Sequence, residues 1–132
     1  TFEDGKLKSI KTVNNEATEF EADNFVLATG SFFSKGIVAS QNGVVEPVFG
    51  LDVDADPERT NWYERNVFEA QPYMKFGVAA DEDFRAKKDG KTVENLYVVG
   101  SVLSGFNAIK EGCGAGVSIL TALNAADQIV NL

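Results

Sequence analysis

The residues best placed for chemistry in this sequence are glycines, which lie where a strand ends and where a helix begins. The run 94–101, Glu-Asn-Leu-Tyr-Val-Val-Gly-Ser, is typical of a parallel strand buried on both faces that ends at Gly100. Further along, Gly112, Gly114 and Gly116 open a long apolar segment. Because glycine has no side chain, a bulky ligand can reach the free N–H groups and the positive end of a helix dipole. We therefore predict that this helix start attracts an electron-rich or anionic group.

A second apolar segment ends in the same way. Residues 24–30, Asn-Phe-Val-Leu-Ala-Thr-Gly, are typical of a buried strand that ends at Gly30. The carboxyl ends of parallel strands meet at one edge of an α/β sheet, where such folds place their ligands. Many buried strands end in glycine, so neither segment is specific alone. Together, and followed by the glycine-opened helix, they predict a ligand crevice.

The residue types that are missing restrict the chemistry further. The sequence has no histidine, so it cannot by itself assemble a Ser-His-Asp or Cys-His nucleophile. A zinc site would lack its commonest nitrogen ligand, and we predict no metal site. Cys113 is the single cysteine, which excludes an internal disulfide and favours a reducing compartment. If the chemistry needs an imidazole base, another segment or another polypeptide must supply it.

Length, composition and charge indicate an ordinary globular protein. The 132 residues predict a single domain, with 44% hydrophobic and 24% charged residues. No run of about 18 apolar residues is present, so we expect no direct membrane insertion. The net charge of −8 argues against nucleic acid and anionic lipid, because both require a basic patch. The chain begins Thr1-Phe2-Glu3 without an initiator methionine, which is typical of a fragment of a longer protein.

Alternating apolar and charged positions in residues 5–23 predict a β-hairpin, with strands at Lys6–Val13 and Thr18–Ala22 and a turn at Asn14-Asn15. Residues 31–75 have no clean period and many aromatic side chains. They predict a loop-rich excursion, which either packs its aromatics on the body of the protein or caps a substrate. Later predicted elements are a strand at Phe76–Ala80, a turn at Asp89-Gly90 and a strand at Leu96–Val99.

The final segment, Ala115–Leu132, predicts one helix of about five turns. Its polar residues recur every three or four positions and form one stripe: Ser118, Thr121, Asn124, Gln128 and Asn131. Apolar residues cover much of the remaining surface, so we expect the helix to be mostly buried.

Several separate motifs resemble those of a known family. The strand 25–30 and the 75–81, 95–100 and 111–117 blocks are similar to the carboxyl-terminal flavin-binding end of the fumarate reductase and glycerol-3-phosphate dehydrogenase group. More closely, four blocks resemble the B-subunit family of anaerobic glycerol-3-phosphate dehydrogenases: 28–33 (ATGSFF), 46–53 (EPVFGLDV), 100–106 (GSVLSGF) and 111–117 (EGCGAGV). The resemblance implies an α/β fold, the carboxyl-terminal part of a Rossmann-like FAD/NAD(P)-binding flavoprotein, with a β-hairpin and a long carboxyl-terminal helix.

The resemblance also implies a function and partners. The family oxidises glycerol 3-phosphate to dihydroxyacetone phosphate and passes the electrons to menaquinone. The B subunit is assigned FMN, with FAD as the alternative here. It works with an FAD-bearing catalytic A subunit and an iron–sulfur C subunit that anchors the complex to the inner face of the cell membrane. The phosphate-binding G-x-G-x-x-G turn is missing from this sequence and would lie in an amino-terminal region.

The resemblance assigns cofactor-binding positions residue by residue. Related flavoproteins usually carry an acidic residue directly after the strand glycine, and this sequence has Ser101, whose hydroxyl can still bond a ribityl hydroxyl. We predict that the backbone N–H groups at the helix start face the pyrimidine edge of the flavin, while the strand ends flank its ribityl chain. The predicted cofactor-binding residues are Thr29, Gly30, Gly100, Ser101, Gly112, Gly114, Ala115 and Gly116.

No catalytic acid or base is assigned from the sequence. Cys113 precedes a helix, where thiolates are favoured, so it is either a redox thiol or a small residue fitted between strand and flavin. Lys110 and Glu111 either touch a ligand or are solvated. Two functional alternatives to a glycerol-3-phosphate dehydrogenase component stay open: a stand-alone flavin dehydrogenase or reductase acting on another substrate, and a scaffold protein that has lost its cofactor.

Overall fold

The computed structural model describes residues 1–14 and 16–131. Its strands are β1 (Phe2–Glu3), β2 (Lys6–Leu7), β3 (Ser9–Lys11), β4 (Glu19–Glu21), β5 (Phe25–Leu27), β6 (Val38–Ser40), β7 (Gly43–Val45), β8 (Val53–Asp54), β9 (Gly77–Val78), β10 (Arg85–Lys88) and β11 (Lys91–Val98). The helices are α1 (Ala108–Glu111) and α2 (Gly114–Val130). Short 3-10 helices lie at Phe32–Ser34, Arg59–Asn61, Pro72–Lys75 and Gly100–Val102.

The central sheet has the strand order β10-β11-β5. β11 runs parallel to β5, with Leu96 opposite Phe25 and Val98 opposite Leu27, so the predicted parallel pair is confirmed. β10 is antiparallel to β11 and joined to it by the predicted Asp89-Gly90 turn, in which both residues have positive φ. The parallel pair brings the two strand ends to one edge of the sheet.

The two faces of this sheet are covered differently. On one face Phe25, Leu27, Leu96 and Val98 join the main core of buried apolar side chains. On the other face Tyr97 and Val99 of the β11 segment pack against Ala125 and Ile129 of α2. β11 is therefore buried on both faces, as its apolar run predicts. β5 is buried on one face, because Val26 is 51% exposed.

The amino-terminal prediction of one long hairpin is correct only in part. β3 and β4 pair as predicted, with Ser9 opposite Glu21, but β2 pairs back with β1 instead of continuing the hairpin. The reason is the turn Asp4-Gly5, where both residues have positive φ, the conformation that tight hairpin turns require. Asn15, the second residue of the predicted Asn14-Asn15 turn, lies outside the described residues.

Asn95 holds this amino-terminal region against the central sheet. Its side chain is buried, its Oδ1 accepts from the N–H of Leu7, and its Nδ2 donates to the carbonyls of Leu7 and Asp23. These bonds join parts of the chain that lie far apart in sequence.

The segment 31–75 contains only short elements within the described residues. β6 pairs with β7, and β8 pairs with β9. Phe32 packs edge-on against Tyr73 and Trp62 against Phe76, whereas Phe33 and Phe68 are 88% and 95% exposed. Part of the aromatic content thus stabilises the excursion, and part is presented to solvent.

The expectation that the last helix is mostly buried is wrong. α2 spans Gly114–Val130, and only Thr121 and Ala125 in it are fully buried. Thr121 and Gln128 hydrogen-bond to the body of the protein, so the middle of the polar stripe faces inward, whereas Ser118 and Asn131 at its two ends are exposed. The apolar side therefore faces solvent. Leu132, the last predicted helix residue, lies outside the described residues.

Candidate functional site

The end of β5 and the end of β11 approach each other at Gly30 and Ser101. Gly30 has a φ of +80°, and a Cβ built on it would lie 3.7 Å from the Ser101 hydroxyl. The neighbouring Thr29 Oγ1 is buried and has no hydrogen-bond partner within residues 1–14 and 16–131. Because buried hydroxyls are normally satisfied, this atom fits a group that is absent here.

Gly36 shapes this edge and was missed by sequence reasoning. A Cβ built on Gly36 would overlap the carbonyl of Gly30, so the loop after β5 can fold back only because residue 36 is glycine. The Gly36 N–H donates to the Ser31 carbonyl at 3.0 Å, which closes that loop. A Cβ on Gly77 would likewise overlap the backbone at Leu103. Gly77 was open to recognition as a break in the apolar stretch Phe76–Ala80, a usual sign of close backbone approach, whereas Gly36 follows Ser34 and Lys35 and carries no such signal.

The end of β11 is fastened to α2. Gly100 has a φ of +73°, and its N–H donates to the Thr121 hydroxyl at 2.9 Å. The Thr121 hydroxyl in turn donates to the Val117 carbonyl at 2.6 Å. A Cβ on Gly100 would lie 3.4 Å from the Ser118 hydroxyl. The polar stripe predicted on the helix is thus what holds the strand glycine in place.

The amino-terminal end of α2 is open. Its first backbone bond runs from the Val117 N–H to the Cys113 carbonyl, and no side chain caps it within the described part of the chain. The N–H groups of Gly114, Ala115 and Gly116 therefore form the free end of the helix dipole. A Cβ at Gly116 would meet nothing within 4 Å. The first turn of α2 carries no acidic residue that would compete with an anion.

The short helix α1 supports this opening. Asn107 accepts from the Lys110 N–H, and the Glu111 carboxylate accepts from the Asn107 N–H at 3.0 Å, so this pair caps α1 reciprocally. Gly112 ends α1 with a φ of +61° and open space around it. A Cβ on Gly114 would lie 3.4 Å from the Ala108 Cβ. Glu111 therefore has a structural role at this point.

Cys113 is half-buried, and its Sγ lies 4.0 Å from a Glu111 oxygen. The sequence holds no second cysteine to form a redox pair. That Cys113 is a small residue fitted between strand and flavin stays a prediction.

An apolar cavity of about 70 Å³ adjoins the strand-end edge. Its lining includes Ser31, Ser101 and Ala108, together with apolar side chains from the excursion, such as Phe32 and Tyr73, and from the segment after β11, such as Leu103. The excursion thus reaches the edge where the predicted site residues lie. A wider, polar depression between the amino-terminal hairpins contains none of the predicted site residues.

Two further observations concern metal binding and membrane-spanning helices. Among the residues that the structure describes, no group of three or more histidine, cysteine, aspartate or glutamate side chains is arranged to hold a metal ion. In the same part of the chain, no helix has both the length and the apolar character needed to cross a bilayer.

These features fit a flavin. Free helix N–H groups suit the electron-rich pyrimidine edge, glycines at 112 and 116 leave room for a flat ring, and the Ser101 and Thr29 hydroxyls suit a ribityl chain. Among the predicted cofactor-binding residues, Gly30 lies close to Ser101, and Gly100 is hydrogen-bonded to α2. Gly112 through Gly116 lie together at the start of that helix.

The family comparison identifies the class of protein to which this chain belongs. Residues 4–117 match the family described as FAD binding domain, and the chain belongs to that family.

Individual proteins that are similar to this chain carry a more specific name than the family does. The chain is 52% identical over 109 residues to the B subunit of anaerobic glycerol-3-phosphate dehydrogenase from Pectobacterium atrosepticum, covering 83% of this chain and 26% of that protein. Proteins of the same name from Vibrio cholerae and Haemophilus influenzae are 42% and 44% identical, each matching 98% of this chain and 30% and 31% of their own lengths. The chain thus spans less than a third of these relatives. No solved structure matches it.

Proposed function

We propose that this chain forms part of the flavin site of a B subunit of anaerobic glycerol-3-phosphate dehydrogenase. The observation that carries the proposal is the open amino-terminal end of α2, held beside the end of β11 by the bond from Gly100 to Thr121. The bound cofactor is FMN, with FAD as the alternative. When bound, a flavin supplies two-electron redox chemistry.

The residues of this chain bind and orient the ring. The N–H groups of Gly114, Ala115 and Gly116 would hold its pyrimidine edge, and Thr29, Gly30, Gly100 and Ser101 would hold the ribityl chain. A helix end stabilises a nearby negative charge by about 0.3–1 kcal/mol when exposed and up to about 2 kcal/mol when partly buried. About 1.4 kcal/mol corresponds to about 30 mV for a two-electron couple. The helix end would therefore raise the reduction potential of a bound flavin modestly.

The role of the whole protein is proposed from its similarity to these relatives. It takes part in the oxidation of glycerol 3-phosphate to dihydroxyacetone phosphate, with electrons passed to menaquinone. Its partners are an FAD-bearing catalytic A subunit and an iron–sulfur C subunit, through which it associates with the cytoplasmic face of the membrane. No catalytic acid or base is assigned to this chain.

The test is a hybrid protein in which residues 1–132 replace the matching segment of the Vibrio cholerae relative. The purified hybrid should carry flavin absorbance, and the mass of the flavin released by denaturation distinguishes FMN from FAD. Co-purification with the FAD-bearing catalytic partner, together with reduction of the flavin by glycerol 3-phosphate, would support the dehydrogenase assignment.

Two results would contradict this proposal. A folded hybrid without any flavin would indicate a scaffold that has lost its cofactor. Flavin that is reduced by another substrate, but never by glycerol 3-phosphate in the presence of the catalytic partner, would indicate a different dehydrogenase.

A further inference from the structure

A closed loop in the excursion presents two large apolar side chains to solvent. The loop, residues 63–72, is closed at its base by one hydrogen bond, from the Tyr73 N–H to the Trp62 carbonyl at 3.0 Å. A loop of this length whose ends meet is an Ω-loop, a class that frequently carries function. Val67 and Phe68 lie in the middle of its sequence and are 76% and 95% exposed.

Gln71 sets the shape of the 63–72 loop. Its Oε1 accepts from the Glu64 N–H at 2.9 Å, and its Nε2 donates to the carbonyls of Asn66 and Glu69, both at 3.1 Å. The Asn66 Oδ1 accepts from the Phe68 N–H at 3.1 Å. These bonds lie within the loop, so the backbone at Phe68 is positioned before anything binds. Such pre-organisation lowers the entropic cost of binding.

The neighbours of the apolar pair in sequence are residue types found at protein interfaces. Tyr63 is 59% exposed, and Arg65 is exposed as well. Aromatic residues and arginine are enriched at protein–protein interfaces and supply much of their binding energy. Arg65 forms no ion pair among the described residues, although Glu64 and Glu69 belong to the same loop. Its guanidinium is therefore available to a carboxylate of a binding partner.

The base of the 63–72 loop adjoins the candidate flavin site. Tyr73 and Met74 line the cavity that Ser31 and Ser101 also line. Phe32 packs edge-on against the Tyr73 ring, with the ring centroids 6.1 Å apart. The loop thus projects from the wall of this cavity, and a protein bound to it is connected to the candidate flavin site through Tyr73.

We propose that the 63–72 loop is a docking site for a partner subunit, whose surface offers an apolar pocket for Phe68 and a carboxylate for Arg65. This inference rests on the proposed function, in which the chain works beside other subunits, and the relatives that it matches are named as B subunits. The position of the loop beside the flavin site favours the FAD-bearing catalytic subunit, since that partner is the source of electrons for this flavin in the proposed function.

The experiment measures how tightly the purified FAD-bearing catalytic subunit binds the hybrid with the Vibrio cholerae protein, by surface plasmon resonance. Phe68→Ser and Arg65→Glu should each raise the Kd at least about tenfold, because one removes the apolar anchor and the other reverses the charge beside it. Both side chains are exposed, so the flavin content and the unfolding temperature of the hybrid should stay unchanged. Val13→Ser, at a fully exposed residue near the amino-terminal hairpin, is the matched control and should leave the Kd unchanged.

Hydrogen exchange gives a second measure that needs no variant. Amides within residues 63–72 of the hybrid should exchange at least about tenfold more slowly when the catalytic subunit is bound. Equal exchange in the free and bound hybrid, together with an unchanged Kd in both variants, would overturn the proposal.

Other occupants of the 63–72 loop would give different results, each of which overturns the proposal. A Phe68→Ser hybrid that unfolds several degrees lower without any partner would show that the rest of its own polypeptide covers the loop. Variants that bind the catalytic subunit normally, but lose the iron–sulfur subunit, dissociate a dimer of the hybrid or release it from lipid vesicles, would identify another occupant. A hybrid that binds the catalytic subunit through this loop yet lacks flavin would contradict only the proposed function.

Discussion

The hydroxyl of Thr121 on α2 accepts a hydrogen bond from the backbone N–H of Gly100 at the end of β11, 2.9 Å away. The bond joins the strand end to the helix and positions both sides of the candidate site. It also satisfies a buried N–H that the strand leaves unpaired.

Thr121→Val should therefore destabilise the protein by about 1–3 kcal/mol, since it leaves the Gly100 N–H buried without an acceptor. Urea unfolding followed by circular dichroism measures this change. Thr121→Ser keeps the hydroxyl and is the control, with a smaller loss expected. Equal stability of the valine and serine variants would show that the bond contributes little.

Gly36→Ala and Gly116→Ala should have opposite effects. At Gly36 the new methyl group would overlap the Gly30 carbonyl, so the loop after β5 must move and stability should fall. At Gly116 the methyl group meets nothing within 4 Å, and alanine should stabilise α2 by about 0.5–1 kcal/mol through helix propensity. Thermal unfolding of the two variants beside the parent chain tests both signs.

Gly116→Val should weaken flavin binding by the hybrid protein at least about tenfold, which is about 1.4 kcal/mol, by filling the space above the start of α2. Because that space is empty in the chain, folding should be retained. Fluorescence quenching by FMN and FAD measures the affinity. Ala39→Val, on the exposed strand β6, is the control. Normal affinity in the Gly116→Val variant would contradict the placement of the ring.

Asn95→Asp should destabilise the chain by about 2–3 kcal/mol or more, because it removes the amide that donates to the Leu7 and Asp23 carbonyls and places carboxylate oxygen beside them. Asn42→Asp, at an exposed turn, makes the same chemical change and should be nearly neutral. Chemical unfolding of both variants is the measurement. A small effect at position 95 would mean that water replaces these bonds easily.

The 132-residue chain by itself should bind FMN or FAD weakly. Its helix end and strand glycines supply one side of a site, and no G-x-G-x-x-G turn is present to hold the phosphate end. Each missing charge-assisted bond is worth about 1.5–3 kcal/mol, so affinity should fall by several powers of ten relative to the hybrid. Fluorescence titration of both proteins tests this, and nanomolar binding by the chain alone would show that its site is complete.

The sequence by itself determined the local elements: the parallel apolar strands, the Asp89-Gly90 turn, and the glycine-opened helix that begins within one residue of its predicted start. Apolar runs and glycine positions predict these features, because each feature depends on residues that are close together in the sequence.

Only the tertiary structure decided how the elements meet. Periodicity identified a polar stripe and an apolar side on α2, but it could not tell that Gly100 and Asp83 would draw the polar stripe inward. The close approach of Gly36 to Gly30 and the bonds of Asn95 to Leu7 join residues whose contact the chain order does not encode. Such contacts depend on the packing of the whole tertiary structure, so the sequence alone does not predict them.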